Sequence, residues 1–149
     1  KIVYEALLQR KILEILDYDI ILREQKYGAN SRVDFLLSNG SKTCYLEVKS
    51  VTLCRQEKIA EFPDAITSRG SKHLIKLIDS LKNGYKPFVL FLTQIQGINN
   101  FRIAKEIDPK YFEGYIEARK AGVKFLAYRC TLNSKQIKIE KKIKIIDER

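Results

Sequence analysis

Two β-prone segments joined by an Asn-Gly turn constrain this chain more than any other feature. The segments are 33–37 and 43–52, and Asn39-Gly40 between them is a strong signal for a tight hairpin. Because side chains alternate along a strand, Glu47 and Lys49 point to the same face. Asp34 lies near the start of the first strand, and most of the other hairpin positions are apolar. Two carboxylates and a lysine on one face of such a hairpin need a chemical reason.

Metal-dependent cleavage of a phosphodiester is the chemistry that fits these residues. It requires a divalent ion that neutralises phosphate charge, a water that loses its proton, and a stabilised pentacovalent transition state. Mg²⁺ prefers oxygen ligands and keeps several waters, so two carboxylates and a backbone carbonyl suffice. We predict that Asp34, Glu47 and the carbonyl of Val48 bind Mg²⁺ or Mn²⁺. Asp34, Glu47 and Lys49 are the predicted catalytic residues, and Lys49 orients the attacking water or stabilises the phosphate.

Two other interpretations of the acidic residues stay open at this point. Asp34, Glu47 and Lys49 on an exposed sheet face also describe a cross-strand cluster of salt bridges. A literal Pro-Asp pair, Pro63-Asp64, follows Glu47 in the chain, whereas the nuclease pattern requires the acidic residue to precede it. We therefore interpret Asp64 as a loop or helix-capping residue, and Asp34 as the residue in the acidic position.

Charge and cysteine content limit the partners and the compartment. The net charge of +10 favours a polyanionic partner, with nucleic acid ahead of an anionic membrane surface, so DNA is the predicted partner. No apolar run approaches the roughly 20 residues that span a bilayer, and no membrane association is predicted. Three cysteines without a CxxC spacing indicate free thiols in a reducing cytoplasm. With His73 as the only histidine, a zinc site is not expected.

Apolar periodicity predicts one α/β domain over residues 1–149, built around a mixed β-sheet flanked by helices. Helices are predicted at 3–16, 72–83 and 110–121, strands at 19–26, 33–37, 43–52, 86–94 and 123–130, and an edge strand or arm at 136–146. Segments 54–70 and 99–109 are predicted to be loops, and Ser71 is the predicted N-cap of the second helix. The element order is therefore αβββαβαβ with a C-terminal tail.

Several segments resemble the sugar fermentation stimulation protein family. The resemblance is carried in chain order by 32–34, 45–53, 62–74 and 107–111, and it extends through 122–123 and 126–130. It implies a restriction-endonuclease-like fold of the PD-(D/E)xK kind, binding to DNA, and a link to the regulation of sugar (maltose) metabolism. It also places the acidic pair and the lysine of the family at Asp34, Glu47 and Lys49. Family members carry a small OB-like domain ahead of the nuclease-like one, and we expect that domain to be absent here.

Further site residues are predicted around the central three. Glu5 or Glu24 is a candidate additional metal ligand, although Glu5 also suits a solvated helix position. Contacts to DNA phosphates are expected from a basic set at the hairpin and at the start of the second helix, consisting of Arg32, Arg69, Lys72 and His73. The lysines of 135–144 are interpreted as a solvated strand face.

Three functions are compatible with these predictions. The first is a metal-dependent nuclease that binds DNA and hydrolyses it as an endonuclease or exonuclease. The second is a DNA-binding transcriptional regulator with the same fold that does not cleave. The third is a basic structural domain whose charged cluster has no metal. Cutting both strands of a duplex often requires two active sites, which a homodimer would provide.

Overall fold

The computed structural model describes residues 2–27, 31–132 and 137–146. The α-helices are α1 (Ile2–Leu8), α2 (Ser68–Leu81) and α3 (Pro109–Ala121), and a short 3-10 turn covers Leu13–Ile15. The strands are β1 (Ile20–Tyr27), β2 (Ser31–Ser38), β3 (Thr43–Val51), β4 (Leu53–Gln56), β5 (Ile59–Phe62), β6 (Lys86–Thr93), β7 (Asn100–Ile103), β8 (Lys124–Leu132), β9 (Ile137–Lys142) and β10 (Lys144–Ile145). None of the helices in these ranges is long and apolar enough to cross a membrane.

A six-stranded mixed sheet with the order β1-β2-β3-β6-β8-β9 forms the centre of the fold. The first three strands are an antiparallel meander, and β3, β6 and β8 are parallel. Parallel neighbours require crossover connections, which α2 and α3 provide. The predicted α/β architecture is confirmed, and the predicted order αβββαβαβ matches the elements that build this sheet up to β8.

Three of the four strands of a second sheet occupy parts of the segments that were predicted to be loops, so the loop prediction is wrong there. Its strand order is β10-β7-β5-β4, with most of β4 and all of β5 inside 54–70 and β7 inside 99–109. These strands have only two to four residues each. They are too short to show an alternating pattern, and β5 pairs in parallel with β7 from a distant part of the chain. Tertiary pairing therefore determines strands that local sequence does not reveal.

The first helix is shorter than predicted because the chain reverses at Arg10. Arg10 has φ 55°, its N–H donates to the Leu7 carbonyl at 3.1 Å, and the Lys11 N–H donates to the Ala6 carbonyl at 2.9 Å. This is the hydrogen-bond pattern of a Schellman motif, which ends a helix. Ile12 and Ile15 are nevertheless buried beyond the reversal. The apolar spacing over 3–16 thus reflects a shared buried surface rather than one continuous helix.

The predicted C-terminal strand is divided between the two sheets. Residues 137–142 form β9 at one edge of the main sheet, and 144–145 form β10 at the edge of the small sheet. Ile143 lies between them and is 5% exposed. Residue 136, the predicted start of this strand, lies outside the described residues.

Two hydrophobic layers cover the main sheet, and β6 contributes to both. Val89 and Phe91 face the layer that contains α2 and α3, whereas Leu90 and Leu92 face the layer that contains α1. All four are buried, which confirms the prediction of a central strand apolar on both faces. The polar residues of β2 and β3 that share the α2 face therefore lie between a sheet and a helix.

Asp108 ties the first turns of α2 and α3 together. Its Oδ1 accepts from the Tyr111 N–H at 3.0 Å and caps α3, and its Oδ2 accepts from the Thr67 N–H at 2.8 Å. Thr67 in turn caps α2 by accepting from the Gly70 N–H at 3.0 Å. The N-cap of α2 is thus Thr67 and not Ser71 as predicted, because this cap is fixed by a residue 41 positions away in the chain. The arrangement brings both N-termini to one end of the fold.

Candidate active site

The backbone between β2 and β3 opens where the predicted acidic residues lie. The antiparallel ladder ends at the pair Phe35–Leu46, and Asp34 is the β2 residue that immediately precedes Phe35. Instead of a backbone partner, the Val48 N–H donates to Oδ2 of Asp34 at 2.7 Å. In a strand, the N–H and C=O of one residue point to the same side. The carbonyl of Val48 is therefore directed toward the same opening as Asp34.

Glu47 is a buried carboxylate with incomplete hydrogen bonding. It is 5% exposed, its Oε1 lies 3.7 Å from Lys49 Nζ and 3.6 Å from His73 Nδ1, and its Oε2 has no hydrogen-bond partner among the described residues. Burial, followed by the charge of Asp34, raises the pKa of Glu47 to about 7. A carboxylate held this way is costly when ionised, and a cation would remove that cost.

His73 lies inside the site and contacts Lys49. The distance between His73 Nδ1 and Lys49 Nζ is 3.1 Å, and the His73 side chain is only 9% exposed. Burial, together with the charges of Lys49 and Arg69, lowers the pKa of His73 to about 4. The imidazole is therefore neutral at pH 7, and its Nδ1 accepts a hydrogen bond from Lys49. His73 was predicted to contact phosphate, and its direct contact here is with Lys49, the predicted catalytic lysine.

A cavity of about 500 Å³ adjoins Asp34 and includes one of the two candidate additional ligands. Glu24, Asp34, Val48 and Ser50 line it. Glu24 has φ 53°, a conformation uncommon outside glycine, and the β1–β2 register leaves it opposite Asp34. Glu5 lies on a different cavity, between α1 and β9. The structure brings Glu24 toward the predicted site and does not bring Glu5 there.

The remaining predicted phosphate contacts are exposed. Arg32 on β2 is exposed, and so are Arg69 and Lys72 on the first turns of α2. Arg69 is close enough that its charge opposes the rise in the Glu47 pKa that burial and Asp34 cause. These side chains are thus accessible from solvent, and their contact with phosphate stays a prediction.

Sequence reasoning missed the contribution of Tyr111. Its ring is fully buried, and its hydroxyl has no hydrogen-bond partner among the described residues. Burial raises its pKa strongly, and the Glu47 charge is the next cause, so the ring is close to the acidic cluster. The ring also packs against Gly70, where an added Cβ would lie 3.1 Å from Tyr111 Cε1. A glycine inside the first turn of α2 was the available signal for this close approach.

Replacing Gly70 with alanine should therefore destabilise the protein more than the same change at Gly114 in α3. A Cβ at Gly70 would lie 2.9 Å from Thr67 Cγ2 and from Thr67 Oγ1, which is the helix cap, whereas at Gly114 the nearest atom is Leu74 Cδ1 at 3.2 Å. We expect Gly70→Ala to lower the free energy of unfolding by about 1–3 kcal/mol, despite the helix propensity of alanine. Urea unfolding measures both variants, and equal or reversed losses would contradict this account of Gly70.

The oxygen donors of the site suit a hard cation that prefers oxygen ligands. Within the described residues, no group of three or more His, Cys, Asp and Glu side chains is placed to hold a metal. An ion at Asp34 and Glu47 would therefore use two carboxylates, the Val48 carbonyl and waters, which is how Mg²⁺ is often held. The unpartnered Oε2 of Glu47 fits that role. Zinc would require a closer set of nitrogen or sulfur ligands.

Comparison with known proteins identifies the relatives of this chain. The family model described as the sugar fermentation stimulation protein RE domain matches residues 1–136. A sugar fermentation stimulation protein homolog of Pelagibacter ubique is 52% identical over 147 residues, covering 99% of this chain and 63% of that protein. The homolog of Pseudoalteromonas atlantica is 44% identical over 148 residues, covering 98% and 63%. The chain thus spans less than two thirds of the length of these relatives.

A solved structure agrees with the fold. The structure of Pyrococcus furiosus SfsA in complex with Ca²⁺ matches with a TM-score of 0.87 and 27% identity, covering 96% of this chain and 62% of that one. The family model, the relatives and the solved structure confirm the resemblance found in the sequence. The chain belongs to the sugar fermentation stimulation protein family.

Proposed function

We propose that this domain binds a divalent metal ion at Asp34 and Glu47 and hydrolyses phosphodiester bonds in DNA. The observation that carries the proposal is the buried Glu47 carboxylate, whose Oε2 lacks a hydrogen-bond partner among the described residues while Asp34 raises its pKa further after burial. Such an arrangement is unfavourable without a cation. The related protein of Pyrococcus furiosus was solved with Ca²⁺, which supports a site for an ion of this class.

Each residue of the site has a distinct task in this proposal. Asp34, Glu47 and the Val48 carbonyl hold the ion. Bound there, Mg²⁺ or Mn²⁺ supplies charge neutralisation at the phosphate and a lower pKa for an attacking water. Lys49 stabilises the phosphate or orients that water. His73 accepts a hydrogen bond from Lys49 at 3.1 Å and so keeps its Nζ beside Glu47.

Residues at the mouth of the site would complete ligand and substrate binding. Glu24 is the better candidate for an additional metal ligand, since it lines the same cavity as Asp34. Arg32, Arg69 and Lys72 are exposed and would contact backbone phosphates of DNA. Their contribution should appear as salt-dependent binding.

The decisive experiment compares two aspartates. The protein is incubated with supercoiled, linear and single-stranded DNA, with and without Mg²⁺ or Mn²⁺, beside Asp34→Asn and the matched control Asp64→Asn. Asp64 is exposed and belongs to the literal Pro-Asp pair. We expect cleavage that requires the metal, is lost in Asp34→Asn and is unchanged in Asp64→Asn. Cleavage that persists undiminished in Asp34→Asn contradicts the assigned site.

The same experiment discriminates the non-cleaving regulator. A protein that binds DNA but cuts none of these substrates with either metal would support a DNA-binding regulator, in keeping with the family name, which refers to sugar fermentation. A protein that binds neither metal nor DNA would support a basic structural domain.

A further inference from the structure

A second cavity of about 510 Å³ lies among residues of β1, β3 and α2. Its lining includes Lys26, Tyr45, Lys76, Asp79 and Tyr85; we call it the Tyr85 groove. Tyr45 precedes Glu47 by two positions on β3, so both side chains face α2. Lys76 follows Lys72 by four positions on α2, which places the two lysines on one face of the helix.

The groove is also close to the site along α2. Lys76 follows His73 by three positions on this helix, so the two side chains lie on neighbouring turns of one helix face. A molecule bound at Lys76 is therefore a neighbour of the Lys49–His73 pair. The groove and the candidate site thus lie along the same two elements, α2 and β3.

The charge around the groove favours an anion. Lys26 is paired in register with Arg32, and like charges directly opposite each other in a sheet are destabilising. Asp79, the acidic residue of the lining, lies 3.9 Å from Lys82 and is 63% exposed. A pair of cations placed against each other in this way is stabilised by a bound polyanion.

The groove also presents an aromatic ring in a fixed orientation. Tyr45 and Tyr85 are stacked, with ring centroids 4.6 Å apart and an interplanar angle of 29°. Tyr45 is only 6% exposed, whereas Tyr85 is half-buried. Tyr85 thus offers part of its ring to the groove while Tyr45 supports it from behind. Aromatic rings between cations are the usual features of a groove for single-stranded nucleic acid.

We propose that the Tyr85 groove receives one unpaired nucleotide of a DNA strand whose neighbouring phosphate lies at Asp34 and Glu47. The base stacks on Tyr85, and Lys26 and Lys76 contact the flanking phosphates. This inference rests on the proposed function, because it assigns the substrate strand to that site. A base can stack on Tyr85 only when it is not paired, so the groove favours single-stranded or frayed DNA over an intact duplex.

Binding without metal tests the groove independently of cleavage. Affinity for a short fluorescein-labelled single-stranded oligodeoxynucleotide is measured by anisotropy in EDTA, across a salt titration. Tyr85→Leu should weaken binding by about tenfold, whereas Tyr85→Phe, which keeps the ring, should bind like the parent. Lys26→Ala and Lys76→Ala should each lower the slope of log affinity against log salt by about 1. Lys141→Ala, on β9 at the opposite edge of the main sheet, is the matched control and should leave the slope unchanged.

The outcomes separate this inference from the proposed function. Equal binding by Tyr85→Leu and Tyr85→Phe, or parental salt slopes in both lysine variants, overturns the groove even if the parent cleaves DNA. Loss of binding in the groove variants supports it even if the parent does not cleave. A parent that binds no DNA in EDTA at low salt overturns the groove, and a parent that binds no DNA with metal either overturns the proposed function as well. Circular dichroism of every variant confirms that lost binding is not lost folding.

Discussion

Glu47→Gln should stabilise the metal-free protein at pH 8 by about 1–2 kcal/mol while abolishing its response to divalent metal. Burial and the charge of Asp34 raise the pKa of Glu47 to about 7, from an ordinary value of 4.5. The ionised carboxylate is therefore less favourable in the folded state than in the unfolded one. An uncharged amide removes this cost, although its NH₂ group must still find acceptors in a buried position, which limits the gain.

The effect has a defined dependence on pH. Below about 4.5, Glu47 is protonated in both states, and the charge contributes no difference. Between about 4.5 and 7, the folded state binds more protons, so the contribution of Glu47 to stability falls as the pH rises. Above about 7 the cost is constant. The gain from Glu47→Gln should thus be absent near pH 4 and complete at pH 8, as measured by urea unfolding.

Metal should reverse the order of stability. At about 100 times its Kd, Ca²⁺ or Mg²⁺ should stabilise the parent by about 2.7 kcal/mol and leave Glu47→Gln unchanged. Metal-dependent cleavage should fall by at least about 100-fold, the upper end for residues that only support a ligand. Glu57→Gln, an exposed carboxylate in the turn between β4 and β5, is the control and should behave like the parent. A Glu47→Gln variant that loses stability at pH 8 and keeps its response to metal would contradict the site.

Glu61→Gln should destabilise the protein by about 3 kcal/mol at pH 7 through the small sheet. The Glu61 side chain is fully buried and accepts from Arg55 Nε at 2.8 Å, Arg55 Nη2 at 2.7 Å and Arg102 Nε at 2.9 Å. These hydrogen bonds, with Arg55 first, lower its pKa to about 2. Removing the carboxylate charge leaves Arg102, whose side chain is 13% exposed, without this buried anion. The interaction of Glu61 with Arg102 joins β5 to β7, so its loss should weaken the small sheet.

Acid should remove the contribution of Glu61. Because its folded pKa is depressed, the stabilisation is complete above the unfolded value of about 4.5 and is lost as the pH falls toward 2. The difference between parent and Glu61→Gln should therefore be large at pH 7 and small near pH 2. Glu106→Gln is the control, since Glu106 is 54% exposed and lies 3.4 Å from Arg55 Nη2. Its cost should stay within about 0.5 kcal/mol, and an equal loss in both variants would contradict a special role for Glu61.

Local pattern was enough to predict the parts of the structure that bury long apolar segments. Alternation along β2 and β3, the Asn-Gly turn, the apolar run of β6 and the Pro-initiated helix α3 each appear in one continuous segment, and all are observed. The same alternation placed Glu47 and Lys49 on one face, and they lie 3.7 Å apart through Lys49 Nζ and Glu47 Oε1. For these elements, the period of the side chains and the burial of one face agree.

The small sheet and the interior of the site were not predictable in this way. Strands β5 and β7 pair although 41 positions separate Ile59 from its partner Asn100, and each strand has only four residues. The buried Glu61 also interrupts the apolar pattern of β5, so the segment does not look like a buried strand. Likewise, nothing local to His73 indicates that it accepts from Lys49, because α2 reaches β3 only in the folded protein.

The sequence by itself determined the family, the α/β architecture and the acid–acid–lysine set, since these depend on residue types at fixed spacing along single segments. Only the tertiary structure decided that Glu47 is buried with an unpartnered oxygen, that His73 faces Lys49, and that Glu24 rather than Glu5 lies near Asp34. Burial and distance are properties of packing between segments, and they determine the pKa values on which the proposed chemistry depends.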